Sequence, residues 1–244
     1  MTFESHWCAG EPVSWRQESA AAAGEAVLLL PLRGAWRERD GDSFSTLVDR
    51  VSVSFRIPDR RTWVSHLGVD RFDVVAFPDS TPGFAQHPHP ALISIPTAVA
   101  HGELIAARRR RLPPAEVSAR ARRLAVSAGR DLLLAHTPAD EIPPSQRKVV
   151  EVARLALSRG TAVAPGVSRS HASRAFHRLT GLTMTQYQRR MRLVTAIRAI
   201  ASVDRGFANI AAASGFADHA HLTRSVRDAI GLTPAQLRDR FRAG

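Results

Sequence analysis

Residues that can hydrogen-bond to a polyanion recur at an interval of 50 in the last hundred residues of the chain. The identical pairs are His171 and His221, Arg174 and Arg224, Gly181 and Gly231, Leu182 and Leu232, Thr183 and Thr233, Gln186 and Gln236, Arg190 and Arg240, and Arg192 and Arg242. The planar donor fork of arginine suits both phosphate oxygens and the acceptor edge of guanine. The repeat therefore predicts two related units that present comparable donors.

A helix is predicted at the centre of each unit. In the second unit Asp218 is a good N-cap, and Gly231 supplies the left-handed residue that ends a helix. Ser168 and Gly181 take these roles in the first unit. Apolar residues at helical spacing would face inward: Leu222, Val226 and Ile230 in the second unit, and Ala172, Phe176 and Leu179 in the first. Both helices are thus predicted to expose one polar face.

The second helix is preceded by a shorter one, over 207–214, which ends at Gly215. Residues 207–230 therefore have the pattern of a helix-turn-helix, whose second helix enters the major groove of duplex DNA. Capping boxes at Thr183 with Gln186 and at Thr233 with Gln236 begin the helices that follow.

One long helix over 185–201 should join the two units. It would bury a stripe formed by Tyr187, Met191, Val194, Ile197 and Ala201, and would turn Gln188, Arg189, Arg190 and Arg192 largely outward. At 1.5 Å per residue this helix spans roughly 25 Å. With its flanking turns it could hold two recognition helices about one DNA turn apart.

These motifs resemble the AraC family of transcription regulators over about 145–244. The segment GFADHAHLTRSVRDAIGLTPAQLR, 215–238, is similar to the family's C-terminal signature, and GVSRSHASRAFHRLTGLTMTQYQRRMRL, 166–193, to its first recognition helix and linker helix. The resemblance implies recognition helices at about 169–179 and 219–230 in successive major grooves. The base-facing positions it implies are Ser170, Ser173 and Arg174, and His219, Ala220, His221, Thr223 and Arg224. Arg169 and Arg227 would contact phosphates.

The first unit departs from the family pattern. Ser158 and Thr161 stand where the second unit has its apolar anchors Phe207 and Ile210, and Gly160 and Pro165 lie nearby. Ala172 also replaces a larger core residue, and Gly and Pro disfavour helix interiors. We expect a weakened or remodelled first unit and a dominant second one.

Charge and composition agree with this division. Residues 1–102 carry 9 basic and 12 acidic side chains, residues 103–144 carry 8 and 5, and residues 145–244 carry 17 and 5. The excess of +12 in the last segment is the expected footprint of a polyanion-binding domain. Cys8 is the only cysteine, and no long apolar run or secretion signal is seen, which predicts a cytoplasmic protein without a membrane partner. The resemblance to AraC regulators implies a bacterial protein.

The N-terminal part is predicted to be β-rich. Segments 26–33, 51–57, 62–66 and 72–77 have strand character, and alternation from Val51 to Ile57 predicts one buried and one wet face. From Pro113 the period becomes helical over 115–135, after the connector run Arg108 to Arg111. The predicted class is α+β, with a small sandwich or barrel at 1–102, connecting and dimerising helices at 103–144, and an all-α double helix-turn-helix domain at 145–244.

The N-terminal part faintly resembles the cupin-like sensory domain that often precedes this module. The resemblance implies that a small effector binds there. Trp36 and Trp63 are candidates for lining its pocket, and the alternative is that they belong to the hydrophobic core. The AraC resemblance of the C-terminal part implies double-stranded DNA as partner, and it leaves open a homodimer and a contact with RNA polymerase. No cofactor and no catalytic residue is predicted.

Two alternatives stay open. A metal-dependent cupin enzyme with a basic tail would need converging ligands, for which His66, His87, His89 and His101 are the candidates. His87 and His89 lie in a proline-rich stretch, with no matching carboxylates after them. Alternatively, the helical domain is a protein-interaction module without DNA, against which the +12 charge argues.

Overall fold

The computed structural model describes residues 2–9, 16–18, 25–40, 45–56, 62–78, 90–135, 142–161 and 168–243. The strands are β1 Thr2–Ala9, β2 Arg16–Glu18, β3 Glu25–Arg33, β4 Ala35–Asp40, β5 Thr46–Asp49, β6 Ser52–Arg56, β7 Thr62–His66, β8 Val69–Pro78 and β9 Ala91–Leu92. The helices are α1 Ile95–Arg109, α2 Pro114–Leu133, α3 Pro144–Arg159, α4 Arg169–Thr180, α5 Met184–Ser202, α6 Phe207–Ala213, α7 His219–Ile230 and α8 Pro234–Ala243. The predicted α+β class is confirmed. Within these ranges no helix has the length and hydropathy needed to cross a membrane.

The strands form two antiparallel sheets, ordered β1-β8-β3-β6-β9 and β2-β7-β4-β5. Alternate residues of β3 point to opposite sides, so Val27 and Leu29 join a core between the sheets, while Leu28 and Leu30 join the core that contains the helices. Both faces of the larger sheet are therefore covered, which explains why β3 reads as a continuous apolar run.

The predicted wet face of β6 is wrong. Ser52, Ser54 and Arg56 are all buried, because the smaller sheet and helix α3 cover that side of the strand. Glu38 of β4 supplies the polar partner: Ser54 donates a hydrogen bond to it, and the Arg56 guanidinium lies 3.8 Å from its carboxylate. A buried polar face needs such partners, and they cannot be read from one strand alone.

Helix α1 was not predicted, because helical spacing of apolar residues was recognised only after Pro113. Ser94 caps it by accepting a hydrogen bond from the Thr97 amide, and a proline lies in its first turn, as helix starts favour. Residue 102, the predicted domain boundary, lies inside this helix. Arg108 and Arg109 belong to its last turn rather than to a connector.

Helix α5 is the long central helix, and it contacts α1 as well as helices of both helical units. All five residues of its predicted inward stripe are buried, and helix α1 packs along it. Its 19 residues span about 28 Å. Of the set predicted to point largely outward, Arg189 is exposed, whereas Gln188, Arg190 and Arg192 are half-buried. Arg190 also donates to the Ile93 carbonyl at 3.5 Å. The N-terminal part of the chain thus covers one side of this helix.

A buried polar group, the Asp49 cluster, joins the β-sheets to the helical domain. It comprises Asp49, Ser52, Arg154 and Tyr187. Arg154 donates to Asp49 at 3.1 Å and to the Ser52 hydroxyl at 2.8 Å, and Tyr187 donates to Asp49. Burial alone would raise the pKa of Asp49, but the charge and hydrogen bonds of Arg154 hold that pKa below its usual value. Asp49 is therefore ionised and depends on Arg154.

A second buried group, the His101 cluster, lies where α1, β8 and α5 meet. Arg198 donates through Nε to Nδ1 of His101 at 3.1 Å, so Nδ1 carries no proton, and Nε2 donates to Asp73 at 2.7 Å. Arg198 also donates to the carbonyls of Pro31 and Arg50. Burial, together with the positive charge of Arg198, lowers the pKa of His101 despite its bond to Asp73. The imidazole is thus held neutral.

Replacing Arg154 by methionine should destabilise the protein by about 3–5 kcal/mol, because it leaves the Asp49 carboxylate buried without its counter-charge. The matched control is Arg37→Met, which removes an ion pair whose arginine is 37% exposed and whose Glu151 carboxylate, 16% exposed, still reaches water; it should cost about 1 kcal/mol. Urea denaturation followed by circular dichroism measures both. Equal losses in the free energy of unfolding would show that the buried pair contributes no more than the partly exposed one. Partial recovery of stability in the Asp49→Asn, Arg154→Met double variant would support the unpaired Asp49 charge as the cause.

Acidification should weaken the fold through His101. In the unfolded chain this histidine takes up a proton near its ordinary pKa of 6.5, whereas the folded protein does not, so stability falls as the pH drops below about 6.5. One such proton changes the slope by up to about 1.4 kcal/mol per pH unit. Thermal melts between pH 7.5 and 5 should show a shallower pH dependence for His101→Gln than for the parent. Identical pH slopes would refute this origin.

Candidate nucleic-acid interface

Helix α7 has the two faces that the sequence predicts. The Asp218 carboxylate accepts from the His221 amide at 2.6 Å and begins the helix, and Gly231, with φ of 78°, ends it. Leu222 and Val226 are fully buried. Of the residues predicted to contact DNA, His219, Ala220, Arg224 and Arg227 are exposed, and His221 and Thr223 are half-buried; Asp228 and Ala229 near the end of the helix are exposed as well. An exposed, basic helix face is therefore available along α7.

The short helix α6 and the turn after it hold α7 in place. Gly215 adopts φ of 79°, a left-handed conformation that suits glycine, and the next residue, Phe216, is buried. The ring of Phe216 meets His221 edge-on at 5.2 Å. The angle between α6 and α7 is thus set by a tight turn and an aromatic contact, as in a helix-turn-helix.

An aromatic stack supports the first residue of α7. The Phe207 ring lies parallel to His219, 5.7 Å between centroids, and the Arg238 guanidinium lies 4.0 Å from the Phe207 centroid. Arg238 comes from α8 and was not predicted as a functional residue, because no pattern in the sequence pairs it with Phe207. The orientation of His219 consequently depends on α6 and α8 together.

Helix α4 is the counterpart of α7 in the first unit. The Ser168 hydroxyl accepts from the His171 amide at 3.3 Å, and Gly181, with φ of 67°, ends the helix. Ala172 and Phe176 are buried as predicted. The predicted base-facing residues Ser170, Ser173 and Arg174 are all exposed, and the side chain of Arg169 lies outside the described part of the chain.

The two units differ in the helix that precedes α4 in the first and α7 in the second. At the positions equivalent to α6, the first unit has the end of the long helix α3, which stops at the left-handed Gly160. Residues 162–167 lie outside the described ranges. The long α3 is also tied to the N-terminal sheets through the Asp49 cluster. Among the described residues, the two units thus differ in the length of this preceding helix, and the expected weakening of the first unit stays a prediction.

The repeat-related arginines Arg190 and Arg240 both face the N-terminal part. Arg190 donates to the Ile93 carbonyl, and Arg240 forms an ion pair with Glu103 of α1 at 2.7 Å. The 50-residue shift therefore marks not only the predicted recognition residues but also two contacts that hold the helical domain against α1.

The remaining candidates are placed as follows. Trp36 is buried between the sheets, 5.3 Å from Phe72, and Trp63 is half-buried beneath the Arg39 guanidinium. His66 bonds to Asp70 at 2.5 Å. His101 lies in the cluster described above, while His87 and His89 are outside the described ranges. Among the described residues, no three His, Cys, Asp or Glu side chains converge as metal ligands would.

Residues 161–240 match the profile of a family described as a helix-turn-helix domain. The match covers α4 to α7 and most of α8, the helices whose caps, turns and repeat are given above. These residues form a helix-turn-helix domain of the AraC family. The family assigned to this segment from its sequence is therefore confirmed.

One relative of the AraC-type domain is the probable transcription factor PqrA of Proteus vulgaris. It is 32% identical over 74 residues, which are 30% of this chain and 61% of that protein. Among solved structures, ToxT of Vibrio cholerae O395 is 11% identical with a TM-score of 0.37 over 99% of each chain. The AraC-like transcriptional activator CuxR is 13% identical with a TM-score of 0.38 over 88% of this chain and 72% of its own. Since these TM-scores are below 0.5, the fold rests on the strands and helices described above.

Loss of the α7 cap should destabilise the AraC-type domain. We expect Asp218→Ala to cost about 1 kcal/mol, because the His221 amide loses its acceptor. Asp228→Ala removes an exposed carboxylate of the same helix and should stay within about 0.5 kcal/mol of the parent. Thermal unfolding of the two variants measures the difference. If they lose the same stability, charge rather than capping is responsible.

Proposed function

We propose that the chain is a sequence-specific transcription regulator that binds double-stranded DNA and reads bases chiefly with α7. The observation that carries this proposal is the exposed N-terminal half of α7, whose Arg224 has no ion-pair or hydrogen-bond partner among the described residues. A long donor side chain held on a rigid helix and left uncommitted is suited to a base edge.

The base-facing set proposed for the second unit is His219, Ala220, His221, Thr223 and Arg224. His219 and His221 are each fixed by a ring contact, so their orientation costs little entropy on binding. Arg227, one turn beyond Arg224 and equally exposed, is proposed as a phosphate contact. Phosphate contacts set the register of a protein on the duplex, and base contacts specify the sequence.

The first unit has the subordinate role in this proposal. Ser170, Ser173 and Arg174 are exposed on α4 and would enter the neighbouring major groove, with Arg169 on a phosphate. However, the last helix described before α4 is the long α3 rather than a short helix like α6, and the exposed N-terminal residues of α4, Ser170 and Ser173, have short side chains. We therefore expect weaker base discrimination from this unit.

Control by a small effector at the N-terminal domain is a separate part of the proposal. Its support is mechanical: the Asp49 and His101 clusters and the ion pair of Arg240 with Glu103 join the sheets and α1 to the helical domain. A conformational change in the N-terminal part would thus be transmitted to α3, α5 and α8 through these contacts. Homodimer formation and contact with RNA polymerase stay predictions of the resemblance.

The alternative of a metal-dependent enzyme has little support in the described residues. Among the described residues His66 pairs with Asp70 and His101 pairs with Asp73, and no third ligand-type side chain joins either pair as metal ligands would. The alternative of a protein-interaction module is separated from DNA binding by the experiment below.

Full-length protein should bind a pool of random duplexes with an affinity that falls steeply with salt, since counterions are released from the DNA. Sequencing of bound and free DNA gives relative affinities for each sequence. Arg224→Ala should cost about 1–3 kcal/mol on the preferred sequences and leave the average of the pool nearly unchanged. Arg227→Ala should weaken binding to all DNA sequences equally. It should also reduce the salt slope, the slope of the logarithm of the binding constant against the logarithm of the salt concentration, by about 1.

The matched control is Arg122→Ala, which removes an exposed arginine from α2. It should alter neither the relative affinities for different DNA sequences nor the salt dependence of binding. A uniform loss with Arg224→Ala would make that residue a phosphate contact. Absence of salt-dependent binding by the folded parent protein would refute DNA binding and favour the interaction module.

A further inference from the structure

A pocket lies where the last turn of α1 meets the end of α5 and the helix α8. Its volume is about 260 Å³. The floor is apolar and is formed by Ala106, Ile200, Ala201 and Phe241, all of which are buried. One wall therefore comes from the N-terminal part of the chain and the other from the AraC-type domain.

The rim of the pocket is strongly basic. Arg109, Arg110, Arg238 and Arg242 surround a single carboxylate, that of Asp204. Asp204 pairs with Arg109 and with Arg242, whose nitrogen lies at 3.0 Å, and these hydrogen bonds lower its pKa to about 2. One carboxylate facing four guanidinium groups leaves an excess of three positive charges at the rim.

Arg238 is only partly satisfied in this arrangement. One of its terminal nitrogens donates to the Arg205 carbonyl at 2.7 Å, but its Nε–H is buried and has no acceptor among the described residues. Burial and then the repulsion from Arg242 lower the pKa of Arg238. A buried donor without an acceptor is costly, and an anion in the pocket would supply an acceptor once the Arg238 guanidinium moves toward it.

We propose that this pocket binds a phosphate group, carried by a small phosphate monoester whose organic part rests on the apolar floor. A phosphate dianion matches the excess charge and offers three acceptor oxygens to the guanidinium forks. A concave, apolar floor of this volume fits a body of about the size of one ring. A phosphate of the DNA backbone has the same chemistry, and the test below separates the two sources.

The pocket is connected to the recognition helix through Arg238. The same guanidinium lies over Phe207, and Phe207 stacks on His219 at the start of α7. A phosphate that draws Arg238 toward the pocket takes it away from this stack. This coupling rests on the proposed DNA-binding function, whereas occupation of the pocket does not.

Calorimetric titration of the full-length protein with phenyl phosphate tests the site. We expect saturable binding at one site, tighter than binding of inorganic phosphate because the ring covers the floor. Arg109→Gln and Arg242→Gln should each weaken it about tenfold, through loss of a charge-assisted hydrogen bond. Both residues are about half exposed, so the variants should fold, which their thermal melts check. Arg122→Gln on α2 is the control and should change nothing.

Anisotropy measurements with labelled DNA at constant ionic strength form the second arm. Saturating phenyl phosphate should weaken DNA binding about fivefold, a common size for coupling between sites. If phenyl phosphate does not bind while the two variants each reduce the salt slope of DNA binding by about 1, the phosphate is one of the DNA backbone. If Arg109→Gln and Arg242→Gln change the affinity of the protein neither for phenyl phosphate nor for DNA, the proposal is overturned. Binding of phenyl phosphate without any DNA binding would refute the proposed function and leave the site intact.

Discussion

Arg154 is the residue on which the arrangement of the two halves depends. Its guanidinium is buried, and it holds a carboxylate of β5, a hydroxyl of β6 and the phenol of Tyr187 in one group. Removing two charges from water is expensive, and the cost is offset only when each polar atom keeps a partner. The geometry is therefore specific: the sheets, α3 and α5 fit together in the one arrangement that satisfies all four side chains.

Helix α5 turns this local constraint into a property of the whole molecule. Its buried stripe packs beneath both helical units, and α1 covers one of its sides. Arg198 and Tyr187, three turns apart on this helix, each enter a buried cluster that includes residues of the β-sheets. Helices α4 and α7 are thus positioned relative to the N-terminal part by α5, the same helix that separates them from each other.

The features that sequence predicted well are local ones. Asp218, Ser168 and the glycines that end α4 and α7 act through hydrogen bonds or backbone angles within a few residues, so their type and spacing suffice. The helical spacing of apolar residues similarly placed the long helix and its inward stripe. Trp36 illustrates the limit, since a tryptophan on a strand has the same pattern whether it lines a pocket or fills a core.

Features that depend on distant partners were missed or misassigned. The alternation in β6 predicted a wet face because it could not show that Glu38 and Arg154 would cover the polar side. Arg190 was assigned to solvent, although it binds a carbonyl before α1. Arg238, the link between the pocket and α7, had no signal in sequence, since its partner Phe207 lies 31 positions away with no shared pattern.

Selection of binding sites from a random duplex library by the full-length protein tests the central claim most directly, namely that α7 is the dominant reader on a rigid rod. The account predicts one strong short box, with a weaker preference about one helical turn away where α4 would enter the next groove. Two boxes of equal strength would contradict the subordinate role of the first unit. Failure of folded protein to enrich any sequence in low salt would contradict base reading altogether.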